Sequence, residues 1–111
     1  MVHDILTASG VKFARGRFLR MPSETHAIYT DDIEVETADR TTTVSPGGMP
    51  RIYHHDVTVE LYEPAPDDAA ELAIEAELDA RGLPWTKQDR YWLQEAQRYQ
   101  VVYEFNYTAK N

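Results

Sequence analysis

The chain has 111 residues, one domain's worth, and its 42% hydrophobic and 11% aromatic content excludes a globally disordered polymer. At this size a folded chain buries roughly 65% of its unfolded surface, so a core forms without covalent staples; the absence of cysteine excludes disulfides and thiolate metal sites. Nineteen acidic against eleven basic residues give a formal charge of −8, which opposes binding of duplex DNA by phosphate neutralisation and keeps the chain soluble.

The N-terminal segment, Met1-Val2-His3-Asp4, has neither a basic start nor a following apolar run, and no run of about 18 apolar residues occurs anywhere. The expectation is a protein without a standard secretory leader or a membrane span. Val2 to Ser9 reads as a short helix closed by Gly10, and Val11 to Leu19 as one or two short extended pieces. Lys12, Arg15, Arg17 and Arg20, interleaved with Phe13 and Phe18, give this region a local positive balance. Four charges without a motif are weak evidence for a nucleic-acid patch, and they fit a contact zone for acidic neighbours, other copies of the chain included, at least as well.

From His26 to Glu36 the alternation of Ile28, Ile33, Val35 and Thr37 predicts a strand, with a bulge or bend at Asp31-Asp32. Arg40 to Pro50 is rich in Thr, Ser, Gly and Pro and reads as a loop of about ten residues, longer than a hairpin needs. Val57, Val59 and Leu61 alternate with polar neighbours in a strand from Asp56 to Tyr62, which Pro64 ends. A helix follows from Asp68 to Arg81, with Asp68 and Glu71 in capping-box spacing. Ala70, Ile74 and Leu78 form its apolar stripe, and Gly82 and Pro84 end it.

Trp85 to Glu95 fits either a strand or a helix. A strand turning near Glu95-Ala96 is the favoured reading, since it would pair with the segment that follows. That segment, Tyr99 to Tyr107, is the clearest strand of all, with Tyr99, Val101, Tyr103, Phe105 and Tyr107 on one face. The sum is an α+β fold in the order α-β-β-β-α-β-β: a mainly antiparallel sheet packed by one long helix and a short N-terminal one. A 14-residue helix spans about 21 Å, whereas strands of nine to eleven residues reach about 30–36 Å, so one helix cannot cover the sheet. The uncovered aromatic face calls for a partner, and Tyr103, Phe105 and Tyr107 are the candidate contacts.

No catalytic or cofactor motif stands out. His54-His55-Asp56 is the one cluster that suggests a metal, but successive strand residues point to opposite faces, and His54 with Asp56 falls short of a zinc ligand set. No Gly-x-Ser-x-Gly elbow, phosphate-binding glycine loop or His-Glu-x-x-His occurs, and Gly47-Gly48 precedes a strand rather than a helix. The expectation is therefore no catalytic residue, no metal and no cofactor.

Several stretches carry a resemblance to a known family. They are His-His-Asp-Val-Thr-Val-Glu-Leu-Tyr-Glu (54–63), Asp-Asp-x-x-Glu with Ile-Glu and Leu-Asp (67–79), Trp-Thr-Lys (85–87) and Glu-Ala-Gln-Arg-Tyr-Gln-Val-Val-Tyr-Glu-Phe-Asn-Tyr (95–107), with Ile28-Tyr29-Thr30-Asp31-Asp32 and Ala38-Asp39 upstream. The pattern resembles the small tail terminator, or tail completion, proteins of long-tailed bacteriophages (siphophages among them). It covers most of the chain and consists of packing positions.

The resemblance implies an α/β sandwich whose copies form a ring, commonly a hexamer. Such a ring caps the tail tube and provides the surface that joins the filled head. The implied partners are other copies of the chain, the tail tube protein and a head–tail connector or head-closure protein, with DNA only in passage and no membrane. The implied location is the virion tail or neck, assembled in the host cytoplasm. On this reading Asp31, Asp32, Glu34 and Glu36 are candidates for an acidic lining past which DNA slides. Arg40, Thr41, Thr42, Thr43, Val44, Ser45, Gly47 and Gly48 are candidates for a loop that orders against the tube or connector. The alternatives are another neck component, a small acidic regulator that binds a host protein and, behind these, an enzyme.

Overall fold

The computed structural model describes residues 1–37 and 51–110. The first helix, α1 (Val2–Ser9), buries Val2, Ile5 and Leu6 at helical spacing and ends where Gly10 turns into the left-handed region at φ 77°. Strands β1 (Lys12–Arg15), β2 (His26–Thr37) and β3 (Arg51–Glu63) follow, then α2 (Asp68–Ala80), then β4 (Trp85–Lys87), β5 (Tyr91–Leu93) and β6 (Arg98–Lys110). The fold is α+β, with one sheet in the order β1-β2-β3-β6-β4 and β5 paired to the start of β6. All its pairings are antiparallel except β1 with β2, where the return loop brings the chain back parallel.

Helix α2 begins one residue earlier than its capping-box spacing suggests. The cap is Asp67, whose Oδ1 accepts from Ala70 N–H at 3.1 Å, while Asp68 is already helical. Glu71 is therefore free of capping and is buried in an ion-pair cluster instead. At the other end Leu83 N–H reaches Leu78 O and Gly82 N–H reaches Asp79 O, both at 3.0 Å, with Gly82 at φ 67°. This is a Schellman closure, and it returns Leu83 to the core.

Three expectations need correcting. The ladder from β2 to β3 runs residue for residue through Asp31 and Asp32, so there is no bulge at that pair. Asp31 is accommodated on the pleat because His55, its diagonal neighbour on the adjacent strand β3, binds its carboxylate at 3.0 Å. Trp85 to Leu93 is not one strand but two: after Gln88 N–H makes a last bond to Val102 O at 2.9 Å, the chain leaves the sheet and carries Arg90 toward α2. The turn that follows falls where expected, with Gln97 at φ 54° and its N–H on Leu93 O.

The third correction concerns the aromatic face. Tyr103 and Phe105 are 0% and 4% exposed: they lie beneath the helix layer and are not open to a partner. Both helices, with Leu83 and Trp85, cover that stretch of sheet together with Val57, Val59, Leu61, Ile74, Leu78 and Val101. The mismatch of lengths is real but lies elsewhere. β3 and β6 have 13 residues each, about 43 Å of strand, against about 20 Å for α2. The excess runs past the helices as a three-stranded arm of β2, β3 and β6, and the longest dimension of the molecule is 56 Å.

Candidate assembly surface

Because side chains alternate along a strand, the register separates the arm into two faces. On the helix-side face the direct pairings place Ile33 beside His55 and Tyr107, and Val35 beside Tyr53 and Ala109. Ile33 and Val35 lie outside the core that α1 and α2 form with the sheet. They are 49% and 52% exposed, an apolar strip on the arm, beyond the part of the sheet that the helices cover. Tyr107 is half-buried and stacks on the His55 ring at 4.3 Å and 8° between planes. Of the three aromatic candidates it alone belongs to the arm. Its hydroxyl is pushed above the ordinary tyrosine range, by burial first and then by the nearby Asp31 charge.

The opposite, open face is acidic. Asp32, Glu34 and Glu36 lie on it from β2, Asp56 and Glu60 from β3, and Glu104 from β6. Asp31 does not: it points to the helix side and is held by His55, so only three of the four candidate lining residues share a face. Glu36 accepts from His54 Nε2 at 2.7 Å and Glu60 from Tyr62 Oη at 2.7 Å. Among the described residues Asp32, Glu34, Asp56 and Glu104 have no cationic partner, and Asp32 stands directly opposite Asp56. Like charges directly across a ladder are unfavourable by some tenths of a kcal/mol or more, so the monomer holds this charge density against its own stability.

The two adjacent histidines thus serve different faces, each tied to a carboxylate of β2. Among the described residues no group of three or more His, Asp or Glu side chains could hold a metal ion. The candidates Arg40, Thr41, Thr42, Thr43, Val44, Ser45, Gly47 and Gly48 lie outside the described residues.

Sequence reasoning missed the groups that fasten the helix layer to the sheet. Arg90, between β4 and β5, donates to Glu63 Oε1 at 3.1 Å, to Asp68 Oδ1 at 2.6 Å and to Glu71. Lys87 reaches Glu71 and Glu75 at 2.9 and 2.7 Å, and Tyr103 Oη donates to Glu75 at 2.6 Å. Glu63 is fully buried beside Glu71, its Oε2 without a donor. The hint in the sequence was a glutamate closing an apolar alternation, Val57, Val59, Leu61, Glu63, at a position due to face inward.

No family model matches this chain, and no curated protein does. Among solved structures, the fold is similar to a chain of the virion of a native gene transfer agent particle. The TM-score is 0.57 at 16% identity, over 96% of this chain and 84% of that one. At that identity the likeness is one of fold. No helix among the described residues is long and apolar enough to cross a membrane.

Proposed function

We propose that this chain is a virion structural protein that caps a tail tube and forms the tail side of the head–tail joint, as a ring through which DNA passes. One observation carries the reading: a sheet that outruns its helices, leaving an apolar strip on one face of the arm and a row of carboxylates on the other, Asp32, Glu34 and Asp56 without a cationic partner among the described residues. The apolar strip is suited to contact between subunits or with the tube. The carboxylates of Asp32, Glu34 and Glu36 are suited to a lumen from which a phosphate backbone is repelled rather than bound. The virion origin of the structural neighbour supports the same class of role. So does the pattern of residues 54–63 and 95–107, since 54–63 and 98–107 lie on the paired central strands.

The test is assembly. Native mass spectrometry across a concentration series, with electron microscopy of a tail tube protein encoded in the same gene neighbourhood, should show a closed ring and density at the tube end. A chain that stays monomeric and leaves tube ends bare rejects the role. Binding to a connector but not to a tube moves the chain to the head side of the neck.

A further inference from the structure

The loop between β1 and β2 holds a side chain that does nothing for the monomer. Leu19 is 100% exposed and Met21 49% exposed. Arg17 and Arg20 flank Leu19, both exposed and without a side-chain partner among the described residues. The loop is not loose chain: the Phe18 ring packs edge-on against the buried His26 at 5.4 Å, and Pro22 O accepts from Arg98 at 3.4 Å. An apolar tip between two arginines, held out from an anchored base, has the composition of a binding anchor.

A receptor of matching chemistry lies on the far edge of the same sheet. Where β4 begins beside β6, a notch of about 480 Å³ has the exposed Pro84 and Thr86 in its lining, along with Trp85 and Phe105, whose side chains lie on the helix side of the sheet. Asp56 and Glu104, two exposed carboxylates without cationic partners among the described residues, line it beside Thr86. β1 and β4 are opposite edges, so a donor on one and an acceptor on the other cannot meet within one copy.

We infer that the β1–β2 loop of one copy seats in the β4-edge notch of the next, Leu19 against the exposed Pro84, with Arg17 and Arg20 on Asp56 and Glu104. The contact is heterologous, and repeated rotation about one axis closes such contacts into a ring. It rests on the ring reading only in requiring that copies of this chain assemble.

The chain has no cysteine, so cross-linking is clean. Leu19→Cys and Thr86→Cys variants, prepared separately and mixed under oxidising conditions, should give the mixed disulfide in preference to either homodimer. The double variant should give a ladder ending in a closed ring. A disulfide demands Cα atoms within about 7 Å, so the product reports this contact and not general proximity. In parallel, Arg17→Glu with Arg20→Glu should weaken association at least tenfold. Asp56→Lys with Glu104→Lys in the partner should restore it, with circular dichroism unchanged because all four positions are exposed. Rings that form without the mixed disulfide, or with Leu19→Cys homodimers dominating, overturn this contact and leave the ring reading standing. Copies that never associate overturn both.

Discussion

Glu63 and Glu71 show how far burial sets the behaviour of a side chain. Glu63 is pushed up to about 7, first by burial and then by its hydrogen bond and charge repulsion with Glu71. Burial also disfavours the Glu71 anion, but hydrogen bonds from Glu63, Lys87 and Arg90 outweigh it and hold that group below the ordinary carboxylate range. Glu63 therefore carries the proton of the pair, which gives its otherwise donorless Oε2 a bond to make. In the unfolded chain Glu63 titrates near 4.5. Between roughly that value and 7 the folded state keeps a proton that the unfolded state has lost, so the group's contribution to stability is full at acid pH and declines as pH rises through the window. Glu63→Gln has the shape of the protonated acid. Its stability relative to the parent should improve by on the order of 1–2 kcal/mol between pH 5 and pH 8, read as the difference in Tm at the two pH values. A constant difference would mean that the proton does not sit on Glu63.

At the level of elements, the end of α2 is set by Gly82. Its φ of 67° is strained for any residue with a Cβ, yet a Cβ placed there meets nothing within 4 Å. Gly82→Ala should therefore cost about 1 kcal/mol of unfolding free energy in denaturant titration, and Gly82→Asn distinctly less, because the penalty is conformational alone. That stop was readable from Gly82 and Pro84, as were the apolar stripe of α2 and the two central strands, because each rests on local chemistry or a regular period. The start of β3 was not. Ile52, Tyr53, His54 and His55 show no alternation of apolar and polar residues, since in the arm neither face is a core. The Asp31-Asp32 pair suggested a bend because only tertiary pairing with His55 makes it acceptable on a straight strand. The Arg90 cluster joins residues from β3, α2 and the β4–β5 link, so no spacing in the sequence announces it. The acids of the candidate lining were legible as a run, but which face each takes depends on the register.

As a whole the molecule is long for its size. Its radius of gyration is 17.0 Å, against about 13 Å for a compact chain of this length. The difference is the arm, which adds surface without adding core. Replacing Ile33 and Val35 by lysine should thus leave the unfolding free energy of the monomer within about 0.5 kcal/mol, because both side chains are half exposed. The same double variant should lose ring formation in native mass spectra and tube-end density in micrographs. A loss of monomer stability instead would assign the strip to folding rather than to assembly. The arm also leaves backbone unpaired: beyond Tyr29, β2 has no outer neighbour among the described residues. A bare edge of this kind invites a second chain to add its own strand, the usual route to aggregation. Two such edges brought together antiparallel, acidic sides aligned, would set Glu34 against Glu34 and Asp32 against Glu36. The carboxylates of β2 thus oppose condensation of two free copies through that edge.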